Sequence, residues 1–564
     1  WALEKLCFHS EYFEETAWSL LLLASAENET WGNNATGIFT QLFRVRNSGT
    51  AANPTQKFDF LSQAIDKNDT KIDFVLIKAL TEAISTYSGS RTIGAEYQGT
   101  KPPIEEWAPK IWQEIFDYWD KAFELLFKLF ERTEGQREKV ASVIGDSIRG
   151  LFSNGRVELL DKTIKKIVSE NGRYWPEGLD AIKTIYEYDS EDLKPEAKEY
   201  LDSWLEILTP KNGDIAEQLM VLVVNPPWES KVNKGGGYVD VTRENAEELA
   251  ANIAKNIEAL YPYLPLVVND SQKQAYAFGR KLVMNIVDYS RLFELSLTAF
   301  YEAENPNINF LLGIFDGINT LSTNDWNEHL IALASNEKLA GFYPNFITTG
   351  EITKEHLRTV IDLAKSEKVD WYRVSNLANG SVLASLNAKI VIEFCAELAV
   401  IDAKFAWVSI DILYMYAHSN PNSLIEMREE LKAILTSVSL AKNSHKGAHD
   451  AYHWKELIEK LFSEKDTDFA ILLVKQLIRD SKVGFDHNDL WYAIKPILSL
   501  MMKNYGEDIW PFFATAIEQA DGMDIYWFQQ LLDRENSFSN IQPCILNHLL
   551  TTTVIEWCKA NKDL

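Results

Sequence analysis

Ile115-Phe-Asp-Tyr-Trp-Asp-Lys-Ala-Phe-Glu-Leu-Leu-Phe-Lys-Leu-Phe130 is the stretch that decides the fold class. Within it Ile115, Phe116, Trp119, Phe123, Leu126, Phe127 and Phe130 recur at steps of three and four residues, the spacing that gathers side chains on one stripe of a helix. Working outward, Leu201, Trp204, Leu205 and Leu208 repeat the pattern after Lys194-Pro195, where proline suits a first helical turn. Asp214-Ile-Ala-Glu217 has the spacing of a capping box, and Thr353 stands before Leu357, Val360, Ile361 and Ala364 as a helix start. Further stripes run through Ile390–Ile401, Phe469–Leu477 and Trp491–Met502. Strand alternation with hairpin turns is nearly absent, so the expectation is an all-α chain.

A chain of 564 residues lies far above the roughly 250–300 at which one core stops growing. Many helices of about 12–18 residues joined by short polar turns point to an α-solenoid of degenerate tetratricopeptide/HEAT-like helical hairpins, each pair burying its face on the next. No strict tetratricopeptide signature of about 34 residues repeats, hence degenerate units. Two stretches interrupt the array: 88–103, rich in Gly, Ser and Thr, and 225–240, which holds Pro226-Pro227 and Gly235-Gly-Gly-Tyr238. They predict long loops between helical blocks at 1–87, 104–224 and 241–564. Trp1-Ala-Leu-Glu-Lys-Leu-Cys-Phe already reads as the inside of an amphipathic helix, which implies a longer parent protein.

Composition narrows the function. Acidic residues outnumber basic ones 82 to 56, a formal net charge of -26, which repels a phosphate backbone and favours a partner with a basic patch. Short basic runs such as Lys162-Thr-Ile-Lys-Lys166 read as solvated helix faces. Cys7, Cys395, Cys544 and Cys558 lack CxxC spacing, so neither a zinc site nor a disulfide framework is signalled, and a reducing cytoplasm fits. The sequon-like strings at Asn28, Asn34 and Asn379 have no secretory signal before them, and apolar runs such as Ser19–Ser25 fall short of the ~20 residues a membrane helix needs. There is no GxxxxGK[ST] string and no GxSxG elbow.

Two strings could carry chemistry. Asn225-Pro226-Pro227-Trp228 follows Met220-Val-Leu-Val-Val, which reads as a possible buried strand, and it resembles the (Asp/Asn)-Pro-Pro-aromatic motif of amino-methyltransferases. That resemblance implies that Asn225 and Pro226 would accept hydrogen bonds from a target amino group while Trp228 stacks on a flipped base. The chemistry also needs a doubly wound sheet with a glycine-rich turn, and no βαβ alternation flanks the string. A proline pair ending a helix accounts for it more simply. His445, His449 and His453 stand four apart with Asp450 among them, a spacing that shares one helix face and can bind a transition metal. Asn443-Ser444 and Lys446-Gly447 make its first half look like a turn, and an exposed polar face is the simpler reading.

Three stretches carry a wider resemblance. They are Trp1–Phe13 continued by Leu20–Glu27 and Gly32–Phe43; Phe310-Leu-Leu-Gly-Ile-Phe-Asp-Gly-Ile-Asn followed by Trp326 and Leu330–Phe342; and Tyr452-His-Trp454 with the helices after it, out to Trp510–Ala516. These loose patterns resemble the C-terminal sensor region of bacterial antiviral STAND NTPases, the Avs family of phage-defence proteins. The resemblance implies an N-terminal effector, often a nuclease, and a central ATPase upstream; ATP and Mg belong there, with no cofactor in this fragment. It implies a sensor that clasps a phage protein, the large terminase subunit or the portal, and thereby promotes tetramerisation and effector activation. No catalytic residue is expected here, and neither nucleic acid nor membrane is a direct partner. A general scaffold for a host protein is the alternative, and an amino-methyltransferase the second. As partner-binding candidates the aromatic residues of the interrupted stretches stand out: Tyr97, Trp228 and Tyr238.

Overall fold

The computed structural model describes residues 2–28, 34–87, 89, 105–172, 174–190, 193–210, 213–227, 229–232, 236–441, 448–462, 465–481, 490–532, 536–537, 540–541 and 545–561. Helix accounts for 75% of the described residues, and the chain is of the all-α, helical-repeat, solenoid-like class that the periodicity predicts. Strands among the described residues are confined to two short antiparallel ribbons. The chain divides into two compact units, Trp1–Leu311 and Leu312–Leu564, a division that falls within the helix Asn309–Leu321. The stretch 225–240 lies inside the first unit.

In the first unit the helix starts are set by local side chains. Asn53 accepts the Gln56 amide while the Gln56 side chain returns to the Asn53 amide, and Pro54 fills the first turn of the helix Pro54–Asp66. Asp69, Thr133 and Asp240 cap the helices Thr70–Ile84, Glu134–Ser153 and Val241–Ile253 by accepting the Lys71, Gln136 and Arg243 amides. The deciding stretch forms the helix Trp112–Phe130. It buries Ile115, Trp119, Phe123, Leu126 and Phe130 against its neighbours Thr70–Ile84 and Glu134–Ser153, leaving Phe116 and Phe127 half-buried at the margin of the stripe. Each fully buried side chain of this size contributes about 1.5–3 kcal/mol. Near the beginning of the unit, Phe13, Phe39, Phe43 and Phe60 form a ring cluster with centroids 5.1 to 6.2 Å apart.

The expected start at Asp214 is present: its carboxylate accepts the Glu217 amide at 3.0 Å. The segment after it departs from expectation. Met220–Val224 is a π-helical turn continuing Ile215–Leu219, not a strand. The stretch 225–240 in turn contains more than loop, since Ser230–Val232 pairs antiparallel with Tyr238–Asp240 in the register Ser230↔Asp240. Both departures have one cause: three to five residues carry too little periodicity to separate strand from helix, and the packing around them decides.

In the second unit, buried tryptophans tie successive helices together through their indole N–H groups. Trp326 donates to the Thr349 hydroxyl at 2.9 Å, Trp407 to the Ser439 carbonyl at 3.2 Å and Trp454 to the Leu435 carbonyl at 3.2 Å. Thr353 starts the helix Lys354–Lys365 as expected, with His356 in the place of the usual Glu or Gln: its amide donates to Thr353, and its Nδ1 accepts the Thr353 amide. The helix Trp491–Glu518 extends well past the predicted Met502 and bends at Tyr505 (φ -135°, ψ 16°), beside Gly506. Among the described residues no helix is long and apolar enough to cross a membrane.

Candidate functional site

The Asn-Pro-Pro string lines a cleft of about 440 Å³ in the first unit. Two walls come from the helices Glu134–Ser153 and Pro176–Tyr188, which approach closely at Gly145, while Gly178 makes room for the ring of its own helix's N-cap residue, Trp175. A Cβ on Gly145 would lie 2.5 Å from Glu177 Cβ, and one on Gly178 would lie 2.5 Å from the Trp175 ring. Trp175 is buried at this junction and its Nε1 donates to the Ala141 carbonyl at 3.1 Å. Gly145→Val is therefore expected to push the two helices apart, costing about 1–3 kcal/mol and deforming the cleft, readable as a lowered unfolding midpoint.

The third wall is the end of the π-helical turn. Asn225 leaves helical geometry (φ -137°, ψ 63°), its amide still bonded to the Met220 carbonyl at 3.0 Å, and the prolines end the helix. Lys273 and Gln274 hold this end: their amides donate to the Val224 and Val223 carbonyls at 3.0 and 2.9 Å, and Lys273 Nζ donates to the Pro226 carbonyl at 3.2 Å. The Thr242 hydroxyl donates to the Pro227 carbonyl at 3.3 Å. Burial raises the Tyr174 phenol above its ordinary value, with the Asn225 side chain opposing. The string is thus a fastened helix terminus rather than the end of a sheet strand, and the described residues build no doubly wound sheet around it.

Charge in the cleft is mixed with an acidic excess. Asp146, Glu177 and Asp180 face Arg149 and Lys273. Arg149 is engaged with Asp189 through two bonds of 2.8 and 3.1 Å, and Lys273 with Pro226. Burial, and then the Asp180 carboxylate, push the Asp146 carboxyl above its ordinary range, with Lys139 opposing. Such a wall accepts hydrogen bonds and favours a cationic or N–H-rich group.

One exposed aromatic side chain lies beside the lining residue Arg149. The Arg149 guanidinium lies 5.7 Å from the Tyr188 ring centroid, and Tyr188 is 64% exposed. Tyr238, from the ribbon, is 81% exposed. The Glu187 carboxylate foremost raises the Tyr188 phenol above its ordinary value. Of the three aromatic candidates only Tyr238 falls on described residues; Tyr97 and Trp228 lie outside them. Sequence reasoning missed Tyr188, Asp146, Asp180 and Lys273. These positions span more than one helix, and no local spacing joins them.

The histidine string lies in the second unit. His445 is outside the described residues, while His449 and His453 share a face of the helix Ala448–Leu461 with ring centroids 6.4 Å apart. His453 is committed elsewhere: Nδ1 lies 2.8 Å from Asp411 and its ring stacks on Tyr414 at 4.0 Å. Among the described residues no group of three or more His, Cys, Asp or Glu is placed to hold a metal. Cys7 and Cys395 are buried free thiols, and burial raises Cys7 to about 12. No protein-family model matches the chain, and no curated protein is significantly similar to it.

Proposed function

We propose that this chain is a polypeptide-recognition array, the target-sensing region of an antiphage STAND NTPase, and that it binds a phage protein such as the large terminase subunit or the portal. Binding would favour assembly of the full-length protein through its ATPase and switch on the effector. The observation that carries the recognition reading is the acidic wall of the cleft at Asn225, which supplies a charge preference, with the exposed Tyr188 beside its lining residue Arg149 and the exposed Tyr238 on the ribbon that follows Asn225 in the chain as candidate aromatic contacts. The net charge of -26 supports a partner with a basic surface. The identity of the partner is supported by the resemblance of the three stretches alone.

The test is co-elution of the purified chain with candidate terminase and portal proteins on size-exclusion chromatography in moderate salt. A stable complex with one of them is expected, and Tyr188→Ala combined with Tyr238→Ala should weaken it by at least about tenfold, as loss of two aromatic anchors does. Failure with both proteins, together with capture of a defined host protein, would replace the sensor by a host scaffold. A complex unaffected by the double substitution would move the contact away from this cleft.

A further inference from the structure

A second cleft in the first unit, of about 410 Å³, lies between the helices Pro54–Asp66 and Trp112–Phe130 and the segment carrying Trp107. Its floor is aromatic. Phe58 and Tyr118 have ring centroids 4.5 Å apart, tilted by 58°, and Trp107 lies 6.0 Å from Tyr118 and within 17° of parallel. Two of these rings are fixed, since the Tyr118 hydroxyl donates to the Phe43 carbonyl at 2.7 Å and Phe58 belongs to the core, and the backbone of Trp107 is held by its amide donating to the Thr50 carbonyl at 2.9 Å.

Above the floor stand three carboxylates, Asp59, Glu114 and Asp117. Glu114 accepts the Lys110 amide at 2.6 Å and Asp117 the Gln113 carboxamide at 2.7 Å, contacts that orient each group and leave a second oxygen for a ligand. Asp59 is exposed. The lining lysine, Lys121, is drawn to Glu124 at 2.7 Å. Lys57 lies within 5.7 and 5.9 Å of the Trp107 and Tyr118 ring centroids but is fully buried and does not line the cleft.

The combination selects charge and shape together. Ring faces carry negative electrostatic potential and attract cations. The carboxylates repel an anion, and an apolar side chain would strip water from them without replacing it. A planar guanidinium satisfies both parts, stacking on an indole while its N–H fork reaches carboxylate oxygens. We infer that this cleft takes the side chain of an arginine on the partner polypeptide, the guanidinium lying on Trp107 with its N–H groups turned toward Asp59, Glu114 and Asp117. The inference rests on the reading of the chain as a polypeptide-recognition array and names what one of its sites selects.

The experiment is calorimetric titration of the whole chain, at low salt, with short peptides identical except for a central arginine, lysine or citrulline. The arginine peptide is expected to bind, the lysine peptide several-fold more weakly, and the neutral isostere citrulline at least about tenfold more weakly. Asp59→Asn with Asp117→Asn, both at exposed helix positions, should weaken the arginine peptide at least about fivefold while the unfolding midpoint stays within a few degrees. Citrulline or lysine binding as tightly as arginine would overturn the assignment. So would an unchanged affinity in the double variant, or no arginine-peptide binding at millimolar concentration. Neither terminase nor portal enters this assay, so its failure and the failure of the sensor reading are separate results.

Discussion

Lys57→Met should stabilise the first unit, and should do so more at pH 6 than at pH 9. Lys57 projects from the helix Pro54–Asp66 into the core, where it is 0% exposed, and its Nζ donates to the Arg44 carbonyl at 3.4 Å. Burial brings its amine down from an ordinary 10.5 to about 7, against the pull of the Glu106 carboxylate. Below pH 7 both folded and unfolded chains hold the proton, and the folded chain bears the whole cost of a buried ammonium. Between about 7 and 10.5 the unfolded chain binds a proton that the folded chain has released, so stability rises with pH across that window. The difference corresponds to a ceiling of about 5 kcal/mol at low pH. Methionine cannot reproduce the attraction of the ammonium to the Trp107 and Tyr118 rings, which brings the expected gain at pH 6 to about 2–3 kcal/mol. Urea unfolding of both proteins at pH 6 and pH 9, followed by circular dichroism, measures it. Equal differences at the two pH values would mean that Lys57 does not titrate between them.

Lys57 also shows where sequence reading stops. It lies on the same stripe as Leu61 and Ala64, at the i, i+4, i+7 spacing that marks a buried face, so the signal was present; a single lysine on such a stripe is ordinarily read as the edge of the solvated face. The Trp112–Phe130 helix was legible because its apolar stripe runs over more than four turns, and Asp214 and Thr353 were legible because a cap acts within three residues. Met220–Val224 misled because a β-branched run has strand propensity, while its surroundings impose a helical turn in which Val221 and Val223 are buried. At Asn225 the helix-ending role of the prolines was readable, but the cleft was not. Asp146, Glu177, Asn225 and Lys273 meet because Gly145 lets two helices close and Lys273 reaches back to Pro226. A glycine inside a helical pattern announces that something approaches closely, without saying what.

Asp73→Ala is expected to be the most damaging single change in the first unit, at about 3–5 kcal/mol. Asp73, in the helix Thr70–Ile84, has a side chain only 2% exposed, and its two carboxylate oxygens accept from one nitrogen, Nη1, of the Arg132 guanidinium at 2.7 and 2.8 Å. Gln136, in the first turn of the next helix, also donates to it, and the second nitrogen of Arg132 donates to the Ile65 carbonyl. One carboxylate thus fastens the turn between Trp112–Phe130 and Glu134–Ser153, the helices that contribute to the two clefts, onto a third helix. Removing it leaves a guanidinium with 16% side-chain exposure next to an empty acceptor position, and the cost is chiefly that unpaired charge. The pair need not be stabilising as a whole, because burying two charges offsets much of their attraction. Asp73→Leu combined with Arg132→Met should therefore recover stability to within about 1–2 kcal/mol of the parent. A double-mutant cycle by urea unfolding separates the terms. If Asp73→Ala alone cost less than about 1 kcal/mol, water would be reaching Arg132, and the turn would be held by apolar packing; if the double replacement cost as much as the single, the ion pair itself would be what sets the angle between these helices.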